Sequence, residues 1–277
     1  MLKMCSFEIA GINYKCVREV LKDSALCVWH KAGETILAEM PIKGRLTSIK
    51  NRDFVGFHLN DSDLRNVELP KSDFRFADLT DVNLSGSYLR ESNMQHIKAV
   101  GSRFMGANLF RSNMSFSDLS GANFRGSFLN SCDLTSCIID GANFNMTQMM
   151  NCFLVKSSGS GVNFDQVNIA SSSLSDVMIT DGSFRMADFL NSCIHKCKVD
   201  TSIFIDTMMM GAEIVDSVFM ASVFEKVNMR HCRVMNTRFV SCKFTTVDFS
   251  DCASQDSVFE QCTFEDCINV PTNGSDH

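Results

Sequence analysis

Phenylalanine recurs every twenty residues at nine successive positions, Phe104, Phe124, Phe144, Phe164, Phe184, Phe204, Phe224, Phe244 and Phe264, a harmonic of a five-residue repeat. From Phe54 to Phe264 every fifth residue is Leu, Ile, Val, Met or Phe in 40 of 43 cases, the exceptions being Ala99, Gly159 and Ser254, with no insertion or deletion. Helices place residues on one face every 3.6 positions and strands every 2.0, so an apolar centre every five residues suits neither. The chain must turn a corner once per repeat. Two residues before each centre, from Ser62 to Cys262, stand only Ala, Ser, Cys, Thr, Val or Gly, apart from Ile97. Both series are expected to point inward. The position between them is often Asp or Asn, as at Asp73, Asp78, Asn83, Asn108, Asn123, Asp133 and Asn163. Such residues favour turns by bonding nearby backbone, and here they point outward.

If one five-residue unit forms one side, the twenty-residue ladder closes a square coil. Residues twenty apart then stack at the ~4.8 Å spacing of paired strands, and the 43 centres make about eleven coils, a rod roughly 50 Å long. Volumes compensate across the axis. Phe54 and Phe74 face Leu64 and Leu84; from Phe104 onward the Phe column faces Met114, Leu134, Leu154, Leu174, Ile194, Ile214 and Val234. Close packing requires such compensation.

The pattern of small residue, Asp or Asn, then Leu or Phe, as in Ala77-Asp78-Leu79, Ala107-Asn108-Leu109, Ala122-Asn123-Phe124, Ala142-Asn143-Phe144 and Ala187-Asp188-Phe189, resembles the pentapeptide-repeat family. The resemblance implies an all-β fold, a right-handed quadrilateral parallel β-helix over residues 51–267. Residues 1–50 read as a small N-terminal cap and 268–277 as a polar tail. In the cap, strands are expected around Phe7–Tyr14, Ala25–Trp29 and Thr35–Met40, a short helix at Val17–Leu21, and a hairpin turn at Lys31, Ala32 and Gly33. The last coil is covered by the tail or by another molecule, a second copy of the chain included. The family includes DNA-mimicking gyrase-protection proteins and secreted bacterial effectors, and the fold does not choose among them.

A net charge of −6 and the lack of any apolar run near membrane length give no transmembrane segment. No secretory signal peptide is visible. Nine of the thirteen cysteines, Cys132, Cys137, Cys152, Cys197, Cys232, Cys242, Cys252, Cys262 and Cys267, occupy the small inward series and read as core filler. Free buried thiols on this scale point to a reducing compartment, a bacterial cytoplasm or a host cytosol reached without a cleaved signal.

The six histidines are scattered, and no catalytic set can be tied together by spacing, so no enzyme, cofactor or metal site is expected. In the segment Cys193-Ile194-His195-Lys196-Cys197, Cys197 falls inward while Cys193 and His195 fall outward on either side of Ile194, which reads against a metal. Cys27 and His30 have zinc-like spacing but lack a second pair. Gly101, Gly106, Gly121, Gly126 and Gly141 fall at the repeat's own spacing and read as corner glycines, not a phosphate loop.

The surface is where departures carry information. Outward positions Ile203, Ile205, Met208, Met210, Val215, Val218, Met220 and Val223 form an apolar belt, a candidate protein-interaction patch. Charge segregates along the chain. Residues 126–225 hold 11 acidic against 4 basic residues, followed by a basic band, Lys226, Arg230, Arg233, Arg238 and Lys243, and an acidic last coil. The sequence therefore reads as a non-catalytic interaction scaffold, an effector binding a host protein, without direct nucleic-acid binding. The alternative is a DNA mimic acting on gyrase. Acidic runs broken by Lys156, Arg185, Lys196 and Lys198 disfavour it.

Overall fold

The computed structural model describes residues 53–271, and ahead of them the backbone of Glu8–Ile9 and Tyr14–Lys15. Every hydrogen-bonded neighbour in the main body lies twenty residues away and runs parallel, from Asp53 with Asp73 to Asp248 with Ile268. That register makes a parallel β-solenoid of four sides and nearly eleven coils. The first side carries the Phe54 column, the second Leu59, the third Leu64 and the fourth Leu69. From about residue 158 the first three sides form three-residue strands in sheets of five, six and four, while the fourth is held by single bridges.

The five-residue period has a direct cause. The residue two after each centre adopts a left-handed conformation at all 43 corners from Gly56 to Asp266, and 34 of them are not glycine. Where Asp or Asn stands just before a centre, its side chain accepts a hydrogen bond from the backbone N–H two residues on. Thr80 N–H to Asp78 Oδ1 at 3.0 Å and Asp165 N–H to Asn163 Oδ1 at 2.8 Å are examples. All seven turn-forming residues singled out in the sequence make this bond. In the early coils the small residue's N–H closes the corner onto the preceding centre, as Ala122 to Leu119 at 3.0 Å. Where that bond is missing, corners such as Cys197 turn the N–H to a hydroxyl of the next coil, there Ser217 Oγ at 3.1 Å, while the side-chain contact with the previous coil's carbonyl is made at closed and open corners alike, as Ser112 Oγ to Leu89 O at 2.8 Å and Thr207 Oγ1 to Phe184 O at 2.7 Å. Three-residue strands form where the corner opens in this way.

Inside, rings of the Phe104 to Phe264 column stack at 4.6 to 5.2 Å, within about 11° of parallel. The exceptions to the centre pattern have physical reasons. Ala99 is matched by Ile97, both fully buried, so volume moves within one corner. At Gly159 a Cβ would lie 2.7 Å from both Ile139 Cγ1 and Val162 Cγ2, whose side chains occupy its space. Ser254 sits in the last coil, half-exposed, where Phe264 on the facing side is itself 36% exposed.

Two expectations need correction. The single strand expected around Phe7–Tyr14 is instead two short strands paired antiparallel, Glu8–Ile9 with Tyr14–Lys15. The other cap elements and the tail after Pro271 lie outside the described residues. Inward cysteines are also more than filler. Cys132, Cys152 and Cys232 Sγ stand 2.9 to 3.0 Å from the carbonyls of Leu109, Leu129 and Met209, the contact that Ser112 and Ser172 make with a hydroxyl. The ten described cysteines are free.

Candidate functional site

The apolar belt divides among the four sides. Ile203, Ile205 and Val223 lie on the third side, where Ile203 and Val223 are direct partners in adjacent coils. Met208 and Met210 lie on the fourth, Val215 on the first, and Val218 and Met220 on the second. Met208 and Met220 are exposed, at 45% and 43%, and the other six are half-buried. Residues consecutive along one coil point in different directions, so no single flat partner reaches all eight.

Neighbours one coil apart make a more compact surface on the fourth side. Tyr88 and Phe128 occupy its outward column, and Phe110 follows the centre Leu109. The Arg90 guanidinium lies 5.0 Å from the Phe110 ring centroid and 5.8 Å from that of Tyr88, whose hydroxyl accepts a 2.9 Å hydrogen bond from Arg90 Nη1. The Arg111 guanidinium also lies 5.0 Å from the centroid of the same Phe110 ring. Cation–π contacts of this kind hold the arginines against the side. A second aromatic stack, Phe76, His96 and Phe116, runs along the corner between the first and second sides, with centroids 4.8 and 5.1 Å apart. Neither cluster is visible as a sequence run; both appear when residues are read twenty apart.

The strand Cys193–His195 has the inward and outward orientation that the five-residue register gives it. Cys193 and His195 flank inward Ile194, and residues two apart on a strand share a face, so the two side chains lie together on the outside. Cys197 turns inward, its Sγ 2.7 Å from Leu174 O. In the next coil Glu213 is the direct partner of Cys193. The donor atoms of Cys193, His195 and Glu213 all lie within 4.8 Å of one another. His195 Nε2 is 3.6 Å from Glu213 Oε2, is shielded from solvent and makes no hydrogen bond. Burial, and then the Glu213 charge, push the Cys193 thiol pKa up. The signal was present in the sequence as the twenty-residue offset from Cys193 to Glu213.

The basic band and its acidic neighbours stand one coil apart and pair: Arg238 with Glu260 at 2.8 Å, Lys243 with Glu265 at 3.8 Å, Arg230 with Asp248 at 4.0 Å and Arg233 with Glu213 at 3.5 Å. Exposed pairs add little stability, but they cancel much of each band's field.

A family model described as pentapeptide repeats matches eight copies over residues 58–95, 87–126 and 117–154. The same twenty-residue register continues without interruption to Ile268. Residues 58–154 thus match the pentapeptide-repeat family, and the parallel β-helix of that segment extends over the whole described rod. Among solved structures it is similar to HetL, a pentapeptide repeat protein involved in heterocyst differentiation regulation from the cyanobacterium Nostoc. That match has 16% identity, covers 80% of this chain and 92% of HetL, and has a TM-score of 0.44. Trypsin-treated QnrB1, a plasmid-mediated fluoroquinolone resistance protein, matches at 15% identity over 62% of this chain and 89% of that one, with a TM-score of 0.40. The Nostoc pentapeptide repeat protein alr5209 matches at 26% identity over 42% and 78%, with a TM-score of 0.29. No curated protein matches the sequence. Among the described residues no helix is long and apolar enough to cross a membrane.

Proposed function

We propose that this pentapeptide-repeat rod is a non-catalytic interaction scaffold that binds a protein partner through its fourth side. One observation carries the reading. Of the fifteen large apolar residues exposed among those described, seven lie on this side or on the corner leading into it: Tyr88, Phe128, Met146, Met150, Met186, Met208 and Ile268. Interfaces draw their binding energy from buried aromatic and arginine anchors, and Tyr88, Arg90, Phe110 and Arg111 supply both kinds. Methionine adds an adaptable surround. The finer reading is an effector delivered into a host cell, supported by the free buried thiols and by the resemblance of a short non-repeat N-terminal region followed by repeats.

A DNA mimic is the second reading. It requires continuous acidic columns matched to duplex phosphates. Cross-coil pairing of Glu213, Asp248, Glu260 and Glu265 with basic residues weighs against it. The test is affinity capture from bacterial and eukaryotic lysates in parallel, with the parent, Phe128→Asp on the fourth side and Met220→Asp on the opposite one. We expect a partner lost with Phe128→Asp, retained with Met220→Asp, and melting curves unchanged for both. Retention of every partner by Phe128→Asp would remove the fourth side from consideration, and stoichiometric inhibition of gyrase supercoiling would favour the mimic.

A further inference from the structure

We propose that Cys193, His195 and Glu213 form a binding site for one divalent transition ion of the zinc class, joining two adjacent coils of the rod. The coil register builds the site. A strand presents residues two apart on one face, and the parallel ladder places Glu213 directly over Cys193. Thiolate, imidazole and carboxylate are the three side-chain donors that zinc uses, and bonds of ~2.0–2.3 Å at the tetrahedral angle put ligand atoms roughly 3.3–3.6 Å apart. His195 Nε2 and Glu213 Oε2 are already 3.6 Å apart, and the full set lies within 4.8 Å. Rotation of outward side chains closes the remaining gap without moving the backbone.

Two further features favour an ion over an accidental cluster. His195 Nε2 is shielded from water yet lacks any hydrogen bond, a state that costs free energy unless something else takes the lone pair. Glu213 presents its two oxygens to different partners: Oε1 to Arg233 Nη1 at 3.5 Å, Oε2 toward His195. Arg233 thus orients the carboxylate from behind, as outer-shell groups do in metal centres. A thiol and an imidazole in the set exclude magnesium and calcium as preferred occupants, since both take oxygen donors. Below the pair, the hydroxyls of Ser173 and Ser175 lie 3.4 Å from each other, and the fourth position is left to water.

The test uses the full chain with Zn2+ and with Co2+ as a spectroscopic probe. The parent should retain one equivalent of Zn2+ more than Cys193→Ser and His195→Ala do. Its Co2+ adduct should show a thiolate-to-metal absorption band that vanishes in Cys193→Ser. Zn2+ should raise the melting temperature of the parent and not of Glu213→Gln, which keeps the side chain's shape. Cys197→Ser, whose thiol faces inward, should bind as the parent does. Zn2+ stoichiometry unchanged in Cys193→Ser and His195→Ala, with both variants folded, would overturn the assignment, as would a parent that retains no ion.

Discussion

Phe184 and Arg185 are chain neighbours with opposite surroundings, and the five-residue register assigns each without reference to coordinates. Phe184 is 4% exposed and stacks between Phe164 and Phe204 at 5.2 and 4.6 Å, whereas the Arg185 side chain faces solvent. Phe184→Ala should destabilise by about 3–5 kcal/mol, through lost burial and the cavity left behind. Arg185→Ala should change stability by less than about 0.5 kcal/mol. Urea melts of the two variants test the inward and outward assignment, and equal shifts would contradict it. The inward cysteines permit a finer comparison. Cys137 Sγ stands 3.1 Å from Met114 O, in the series where Ser117 Oγ contacts Met94 O. Cys137→Ser should therefore be tolerated within about 1 kcal/mol. Cys137→Val, which leaves the carbonyl without that contact, should cost more, by about the 0.5–1.5 kcal/mol of a hydrogen bond. Sequence reasoning saw the size of these residues and missed the bond, because a small side chain and a small donor look alike in a volume pattern.

The element of this fold is the corner, and what was legible there was its period and not its conformation. Asp and Asn before the centres announced turns, and they make the expected bonds. The sequence did not announce that every corner is left-handed, because only 9 of 43 corners carry the glycine that normally marks this conformation. At Gly86 a Cβ would meet only Asn66 Oδ1, the movable end of an exposed side chain, so it is the φ of 66° and not crowding that favours glycine there. Most other corners accept the strain of a side chain, of order 1–2 kcal/mol per residue, because inter-coil hydrogen bonds on both sides fix the backbone. Met186 combines a left-handed corner, φ 55°, with 61% exposure. Met186→Gly removes that strain and little packing, so it should raise stability by up to about 1 kcal/mol, less the extra entropy of glycine in the unfolded chain. A lower urea midpoint for this variant would mean that the Met186 side chain packs more than its exposure implies. The alternation between closed corners early in the rod and open ones later, which decides where three-residue strands form, has no evident sequence code.

In the whole molecule, distance along the chain misleads and distance modulo twenty informs. The belt from Ile203 to Val223 wraps the rod because its members are consecutive, so it divides among four sides. Bands that looked segregated in charge pair across coils. Cys193, His195 and Glu213 escaped notice because the third member is one coil away. The side, the coil number and the core were legible because the repeat never slips; lateral neighbours were equally encoded but require the stack to be drawn first. The same stack distributes buried thiols along the axis, and this gives the molecule a collective response to alkali. Burial pushes Cys137, Cys152, Cys197 and Cys232 up to about 12 and Cys242 and Cys252 up to about 11, from an ordinary value of 9.0. The unfolded chain releases these protons as pH passes about 9 while the folded chain keeps them, so above that pH the unfolded state binds fewer protons and stability falls with a slope set by the difference. Their contribution is fully present below about pH 9 and is lost as pH rises toward 12. Replacing Cys137, Cys152, Cys197 and Cys232 together by Ser removes four titrating groups while leaving a hydroxyl in place of each thiol. Urea midpoints measured under reducing conditions from about pH 8 to pH 10.5 should fall more steeply for the parent than for the quadruple variant, whatever the offset between them at pH 8. Parallel slopes would show that the thiols ionise as readily in the folded rod as in the unfolded chain, and that the core at these corners is open to water.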